Sequence, residues 1–240
     1  MILLGIFFFL IGLAVGSFLN VIIYRLPKGI SIIKPPSHCP SCGTRIKFYD
    51  NIPLISFIIL RGKCRYCGSK ISPIYPVVEG LTGFAFLLVY LKFNFNIFIA
   101  IKFMIFTALL ITISFIDLKE KVIFDSLTIP WIGIGLISTL FLKDIPFLNV
   151  FLTAVISGFL FWILRITFSK ILKREAMGEG DILLIMLISS FTGFKGAYFS
   201  MLLGSIFALL AHIIFPNKIK DEIPFGPFLS LGAFIGIFTL

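Results

Sequence analysis

Two aspartates stand at the ends of apolar runs in a 240-residue chain of which only 13% is charged: Asp117 closes Ser114-Phe115-Ile116-Asp117, and Asp181 ends Gly178-Glu179-Gly180-Asp181 and opens the next run. Carboxylates at a membrane edge are costly unless hydrated or paired, so two bordering different apolar segments point to a catalytic or ion-handling site. Each alone has an ordinary explanation. Asp181 could cap a helix beginning at Ile182, and Asp117 could be a hydrated boundary ion paired with Lys119 or Lys121. Held together in a partly desolvated pocket, however, two carboxylates share a proton and titrate as a pair. One form then activates water while the other protonates a carbonyl oxygen, which is aspartic protease chemistry. Gly178 and Gly180 flank Glu179, and their missing side chains would admit a substrate backbone or backbone angles that other residues resist. Asp125, with Pro130 soon after it, reads as a helix cap.

All four cysteines fall in one polar stretch, as Cys39-Pro-Ser-Cys42 and Cys64-Arg-Tyr-Cys67. Two such knuckles separated by a loop match a four-cysteine zinc site, since the short spacing lets both thiolates of a knuckle face one tetrahedral ion. Gly43 and Gly68 follow the knuckles and allow the tight turn each needs. Two disulfides are the competing reading, which a reducing compartment disfavours, and a complete four-ligand set points to a structural rather than catalytic ion. His38 is a bystander to four sufficient thiolates. His212 lies inside an apolar run and reads as a hydrogen-bonded interior residue, so neither histidine supports a zinc-hydrolase motif or a serine triad.

The elements that must hold these residues are membrane helices. The chain is 59% hydrophobic, with its apolar residues gathered in runs at residues 2–23, 76–91, 97–116, 127–142, 147–168, 182–191, 197–215 and 225–240. The expected fold is therefore an all-α polytopic membrane protein of about eight transmembrane helices, with a small polar insert after the first. Several runs fall short of the ~20 residues a bilayer asks for, and 182–191 is the least secure span. The first run has no basic residue before it and no small-residue cleavage signal after it, so it reads as a retained span.

The net charge of +10 is gathered between the runs, as topology signals and lipid-headgroup contacts are, and nucleic acid is not an expected partner. Placing the insert on the cytoplasmic side also puts Lys119, Lys121, Arg165, Lys170, Lys173, Arg174, Lys218 and Lys220 there. Lys92, Lys143 and Lys195 fall on the other side, and Lys102 lies within a run. This asymmetry sets the amino terminus outside and brings both aspartates to the cytoplasmic interface.

Several segments in combination resemble the bacterial type IV prepilin peptidases: Gly16-Ser-Phe-Leu-Asn-Val-Ile-Ile-Tyr-Arg-Leu-Pro27, the two knuckles with Asp50-Asn-Ile-Pro53 between them, Arg61-Gly-Lys-Cys64, Tyr75-Pro-Val-Val-Glu79, Met177-Gly-Glu-Gly-Asp181 and Ile223-Pro-Phe-Gly-Pro227. The resemblance runs from the first span to the last. It implies a Gly-x-Gly-Asp type membrane aspartic peptidase that cuts the basic leader from prepilins and pseudopilins at the cytoplasmic face of the bacterial inner membrane. It further implies N-methylation of the new amino terminus with S-adenosylmethionine as donor, a site that no residue here can be assigned to.

Carried over by position, the catalytic pair is Asp117 and Asp181, and the zinc ligands are Cys39, Cys42, Cys64 and Cys67. The implied division is a first transmembrane helix at 1–23, a zinc-binding insert at 24–75 and a peptidase domain at 76–240. One departure stands out: the chain has Ile123-Phe124-Asp125 where the family often carries Ile-Pro-Asp. The lysines and arginines of the insert would repel a basic leader, which leaves Glu79, Glu120, Glu175 and Glu179 as candidates for attracting it. Two other classes remain open. A transporter would bind protons or cations at Asp117 and Asp181. A membrane anchor with a zinc module would leave the Gly-Glu-Gly-Asp segment without a purpose.

Overall fold

A backbone in hydrocarbon has no water to bond, so long apolar runs must satisfy their amides internally, and helices do this within one segment. The computed structural model describes residues 2–173, 177–214 and 224–240. Its helices are α1 (Ile2–Arg25), α2 (Ile55–Ile59), α3 (Ile74–Lys92), α4 (Ile97–Glu120), α5 (Ile129–Leu142), α6 (Phe147–Leu172), α7 (Glu179–Ile214) and α8 (Gly226–Ile237). Among the described residues the only β-type pairings are two isolated bridges, both in the insert. Among the described residues, six helices are long and apolar enough to cross a membrane. Their outward faces carry the side chains a bilayer accepts, among them Leu3, Phe98, Phe141 and Phe159.

The runs expected at 182–191 and 197–215 lie on one 36-residue element, α7, whose helix is interrupted at Gly193 (φ 61, ψ −158). At 1.5 Å per residue an unbroken helix of that length would reach ~54 Å, well beyond the ~30 Å of a hydrocarbon core. The interruption divides it at residue 193, a conformation that glycine adopts without a steric penalty. Asn149 of α6 caps the second part, its Oδ1 accepting the Phe194 N–H at 3.0 Å. The run expected at 225–240 is the shorter α8, 12 residues long.

The chain forms two compact units, Met1–Ala108 and Leu109–Leu240, with α4 contributing to both. In the first, α1 packs along α3 so closely that a Cβ on Gly16 would lie 2.7 Å from the Glu79 Cα. Small residues permit this approach where lipid gives helices no hydrophobic drive to associate. Asn20 adds a bond from its side-chain amide to the Tyr75 carbonyl, 3.0 Å. In the second unit α7 is the central element, packed on α5, α6 and α8. Ser157 of α6 meets Ser189 of α7 at 2.9 Å, and Ser200 of α7 donates to the Leu229 carbonyl of α8 at 2.8 Å, both buried.

The insert is built from two similar loops. Gly43 N–H returns to the Cys39 carbonyl at 2.9 Å, and Gly68 N–H to the Cys64 carbonyl at 3.0 Å. Both glycines sit at positive φ (69° and 71°), as the spacing predicts. Asp50, the acid between the loops, takes Arg65 of the second loop through Nε at 3.0 Å and Nη2 at 2.6 Å, a charge-assisted fork that stiffens this minimal core.

Candidate active site

Asp117 lies on the last turn of α4, where the Lys121 N–H closes the helix onto its carbonyl at 2.9 Å. It is only 5% exposed. Its Oδ2 accepts the backbone N–H of Gly226 at 3.0 Å, across 109 residues of sequence. Gly226 opens α8 immediately before Pro227, where the first amides of a helix have no partner within it. A Cβ on Gly226 would stand 2.7 Å from Asp117 Oδ2, so only glycine leaves this carboxylate its place. Gly226, before Pro227, thus has a physical role that sequence reasoning missed. A glycine wedged before a proline at a helix start was the signal for it.

Asp181 is half-buried at the third position of α7, because that helix starts at Glu179 and not at Ile182. Its backbone N–H donates to the Gly178 carbonyl at 3.3 Å, and its carboxylate lies beside Gly178 within electrostatic reach of Asp117. The expected cap on a helix beginning at Ile182 is therefore not formed: Asp181 lies within the first turn of α7.

Ile123 joins the two halves of the site. Its Cβ lies 2.6 Å from where a Cβ on Gly180 would be, and its Cδ1 3.4 Å from the same point on Gly226. The clearance at Gly180 is filled by the protein's own Ile123 rather than left for a substrate backbone, and neither Gly178 nor Gly180 adopts a positive φ. Next to it, Phe124 stands at φ −82, close to the angle a proline ring would impose.

Other sequence expectations fare differently. Asp125 is exposed and makes no side-chain cap: α5 begins at Ile129 after Thr128, and it is the Asp125 carbonyl that receives the Thr128 N–H at 3.1 Å. His212 is exposed on the last turn of α7 rather than interior. An apolar run reads the same whether it faces protein or lipid, and this residue faces outward. Glu79 is buried and committed within its own unit, accepting the Leu54 N–H at 2.8 Å and a bond from Ser17, so it is not placed to attract a leader. Glu120 is paired with neighbouring Lys119 at 2.8 Å. Glu179 is 76% exposed at its side chain and meets Arg165 of α6 at 2.7 Å. Arg174, Glu175, Lys218 and Lys220 lie outside the described residues.

In the first unit the thiols of Cys39, Cys42, Cys64 and Cys67 converge, all Sγ atoms within 4.8 Å of one another. None is in a disulfide. The Sγ atoms of Cys39 and Cys67 are 3.9 Å apart. A tetrahedron of sulfurs at ~2.3 Å from a zinc ion has edges of ~3.8 Å, so the donor set and its spacing fit that ion. Hydrogen bonding from the Cys42 backbone N–H, with Ser69 and Ser41 adding to it against the cost of burial, pulls the Cys39 thiol down to about 6. The Ser69 hydroxyl chiefly lowers Cys67. Both effects favour the thiolate a metal requires. His38 turns its Nδ1 to the Pro36 carbonyl at 3.0 Å and stands apart from the quartet.

Comparison with known proteins places these features in context. Residues 10–93 match the Bacterial Peptidase A24 N-terminal domain, and residues 104–213 match the Type IV leader peptidase family. A prepilin leader peptidase/N-methyltransferase of Neisseria gonorrhoeae is 34% identical over 95% of this chain and 88% of its own length. A type 4 prepilin-like proteins leader peptide-processing enzyme of Escherichia coli is 37% identical over 95% of this chain and 91% of its own. A prepilin leader peptidase/N-methyltransferase of Dichelobacter nodosus is 33% identical over 97% and 91%. No solved structure matches the chain.

Proposed function

Because the chain belongs to the type IV leader peptidase family, we propose that Asp117 and Asp181 are its catalytic pair. The protein is a multi-pass membrane enzyme that removes the leader from prepilins and methylates the amino terminus this exposes. The observation that carries the catalytic assignment is the convergence on Ile123: the end of α4, the start of α7 and the start of α8 meet there with one carboxylate from each of the first two.

In this reading the pair holds one proton between them. The ionised carboxylate takes a proton from water as its oxygen adds to the scissile carbonyl, and the protonated one donates to the carbonyl oxygen. When the tetrahedral intermediate collapses, a proton returns to the departing amine. Gly226 fixes one oxygen of Asp117 throughout, so the carboxylate is oriented before substrate arrives.

The excess of lysine and arginine in alternate connections supports an outside amino terminus, with the insert and the acids at the cytoplasmic face. A prepilin's apolar helix would then lie in the bilayer with its scissile bond at the hydrated interface. The divisions 1–23, 24–75 and 76–240 describe the first span, the insert and the peptidase part. Cys39, Cys42, Cys64 and Cys67 would hold a zinc ion, which when bound supplies the cross-link that an insert with so small a core needs. S-adenosylmethionine is the methyl donor, as a second substrate. No observation favours transport by the aspartates.

The test is to incubate the purified protein with a prepilin-like substrate and S-adenosylmethionine and to sequence the product by mass spectrometry. A trimmed and methylated amino terminus is expected. An untouched substrate would contradict the assignment.

A further inference from the structure

The two cysteine loops are joined through α2, whose five residues present two unlike faces. Ser56 is buried, its hydroxyl accepting the Ile52 N–H at 3.0 Å and donating to the Tyr49 carbonyl at 2.9 Å, and the Phe57 ring packs against Gly62. On the other face Ile55, Ile58 and Ile59, at the spacing of one helical stripe, are 54%, 72% and 67% exposed. Three adjoining isoleucines turned out of a polar insert mark a surface suited to an apolar environment.

The seat of α2 identifies that environment. The Leu54 N–H bonds to Glu79 Oε2 of α3 at 2.8 Å, and Leu54 Cδ2 stands 3.9 Å from where a Cβ on Gly80 would be. Gly80 shares one face of α3 with Val77, Leu81 and Phe84, all three exposed along a candidate membrane span. Gly80 follows Ile74, the first residue of α3, by on the order of 9 Å of helix rise, and the 19 residues of α3 together rise ~28 Å, about the thickness of a hydrocarbon core. Leu54 thus fills a gap on the lipid-facing side of the span, and α2 starts inside the bilayer boundary rather than above it. The first cations after α2 are Arg61 and Lys63, both exposed and neither in an ion pair among the described residues.

We propose that α2 is an interfacial anchor: Ile55, Ile58 and Ile59 lie among the acyl chains of the bilayer, and Arg61 and Lys63 meet the phosphates of anionic phospholipid. Lipid is the occupant because the helix that bears the stripe is seated on the lipid-facing side of α3 and leads into free cations. The metal loops take their level from this anchor. The Gly62 N–H returns to the Phe57 carbonyl at 2.9 Å and the Ile71 N–H to the Gly62 carbonyl at 2.8 Å, which hangs the Cys64–Cys67 loop from the end of α2. Neither aspartate takes part.

The full-length protein carries Trp131→Phe and Trp162→Phe, with Ile58→Trp or Ile55→Trp as its sole tryptophan. Both isoleucines point out of the insert, so these substitutions leave its interior untouched. Each variant is placed in nanodiscs whose lipid is brominated near the headgroup end of the acyl chain or near its methyl end. Bromine near the headgroup removes about half of the fluorescence, and more than bromine at the methyl end, while aqueous iodide removes little, as befits a side chain ~5–10 Å into the headgroup and acyl boundary. In mixed nanodiscs, brominated phosphatidylglycerol quenches about twofold more than brominated phosphatidylcholine at equal mole fraction, and the double variant Arg61→Gln, Lys63→Gln abolishes the difference.

Quenching by iodide and not by brominated lipid would put the stripe in water. Protection from both quenchers would show it covered by protein, either a second copy or another part of the chain. Either result overturns the anchor, and equal quenching by the two lipids in the presence of Arg61 and Lys63 overturns the choice of anionic lipid.

Discussion

Adding one methyl group at Gly226 separates the geometry of the acid pair from the stability of the fold. The Cβ of Gly226→Ala would stand 2.7 Å from Asp117 Oδ2, 3.3 Å from its Cγ and 3.4 Å from Ile123 Cδ1. Carbon and oxygen do not tolerate the first of these distances, and the atom that must yield is the end of a side chain rather than backbone. The carboxylate retreats on the order of 0.5 Å and strains its 3.0 Å bond to the Gly226 N–H. Overpacking of this kind costs about 1 kcal/mol when a side chain can move, which lowers a thermal midpoint by about 2–4 °C for a chain of this size.

The same displacement is half of that for which a hundredfold loss of rate is ordinary, so kcat falls about tenfold or more. The assay is steady-state cleavage of a prepilin-like substrate beside a thermal unfolding scan of the same nanodisc preparation. A Gly226→Ala enzyme that is stable and cuts at the wild-type rate would refute the claim that Gly226 orients Asp117. One that fails to fold would show the contact to be structural first.

Gly180→Ala drives a Cβ to 2.6 Å from the Ile123 Cβ and is expected to lower cleavage about tenfold, with the double variant Gly180→Ala, Ile123→Ala recovering much of the loss; no recovery would take Ile123 out of the site. Asn149→Ala frees the Phe194 N–H at the α7 interruption and lowers the unfolding free energy by about 1 kcal/mol, read from denaturant titration. Glu79→Ala leaves the Leu54 N–H without its acceptor, a cost of about 1–3 kcal/mol that limited proteolysis reports as faster cutting between Asp50 and Ile59. Cys39→Ser removes one thiolate of the quartet, and elemental analysis should find the purified variant depleted of zinc, with its insert cut faster by protease than that of the wild type; full zinc content would argue against a four-thiolate site.

The class of fold was legible because composition alone decides it: runs of this apolarity cannot be anything but helices in a membrane. The cysteine quartet was equally legible, since both the ligand spacing and the glycines after it are local in sequence. The number of spans was less so. The interruption of α7 depends on an Asn149 that comes from another helix, and no local pattern announces that the residues on either side of Gly193 form one element.

The aspartates could be nominated from their positions, but what holds them could not. Gly226 is 109 residues from Asp117, and the tightness at Gly180 comes from Ile123, whose apolar side chain carried no chemical signal. Burial was the other blind spot. Glu79 and Glu179 look alike in sequence, each an acid beside an apolar run, yet one is closed in between α1, α3 and the Leu54 amide while the other stands in solvent against Arg165.

The most direct measurement of the central claim compares cleavage by the wild type, Asp117→Asn, Asp181→Asn and the double variant, each confirmed folded in nanodiscs. If the two carboxylates work as one unit, either single variant loses at least ~10³-fold in kcat, and the double variant loses little more than either alone. A single variant that retains wild-type cleavage, or losses that simply multiply in the double variant, would contradict a shared-proton pair.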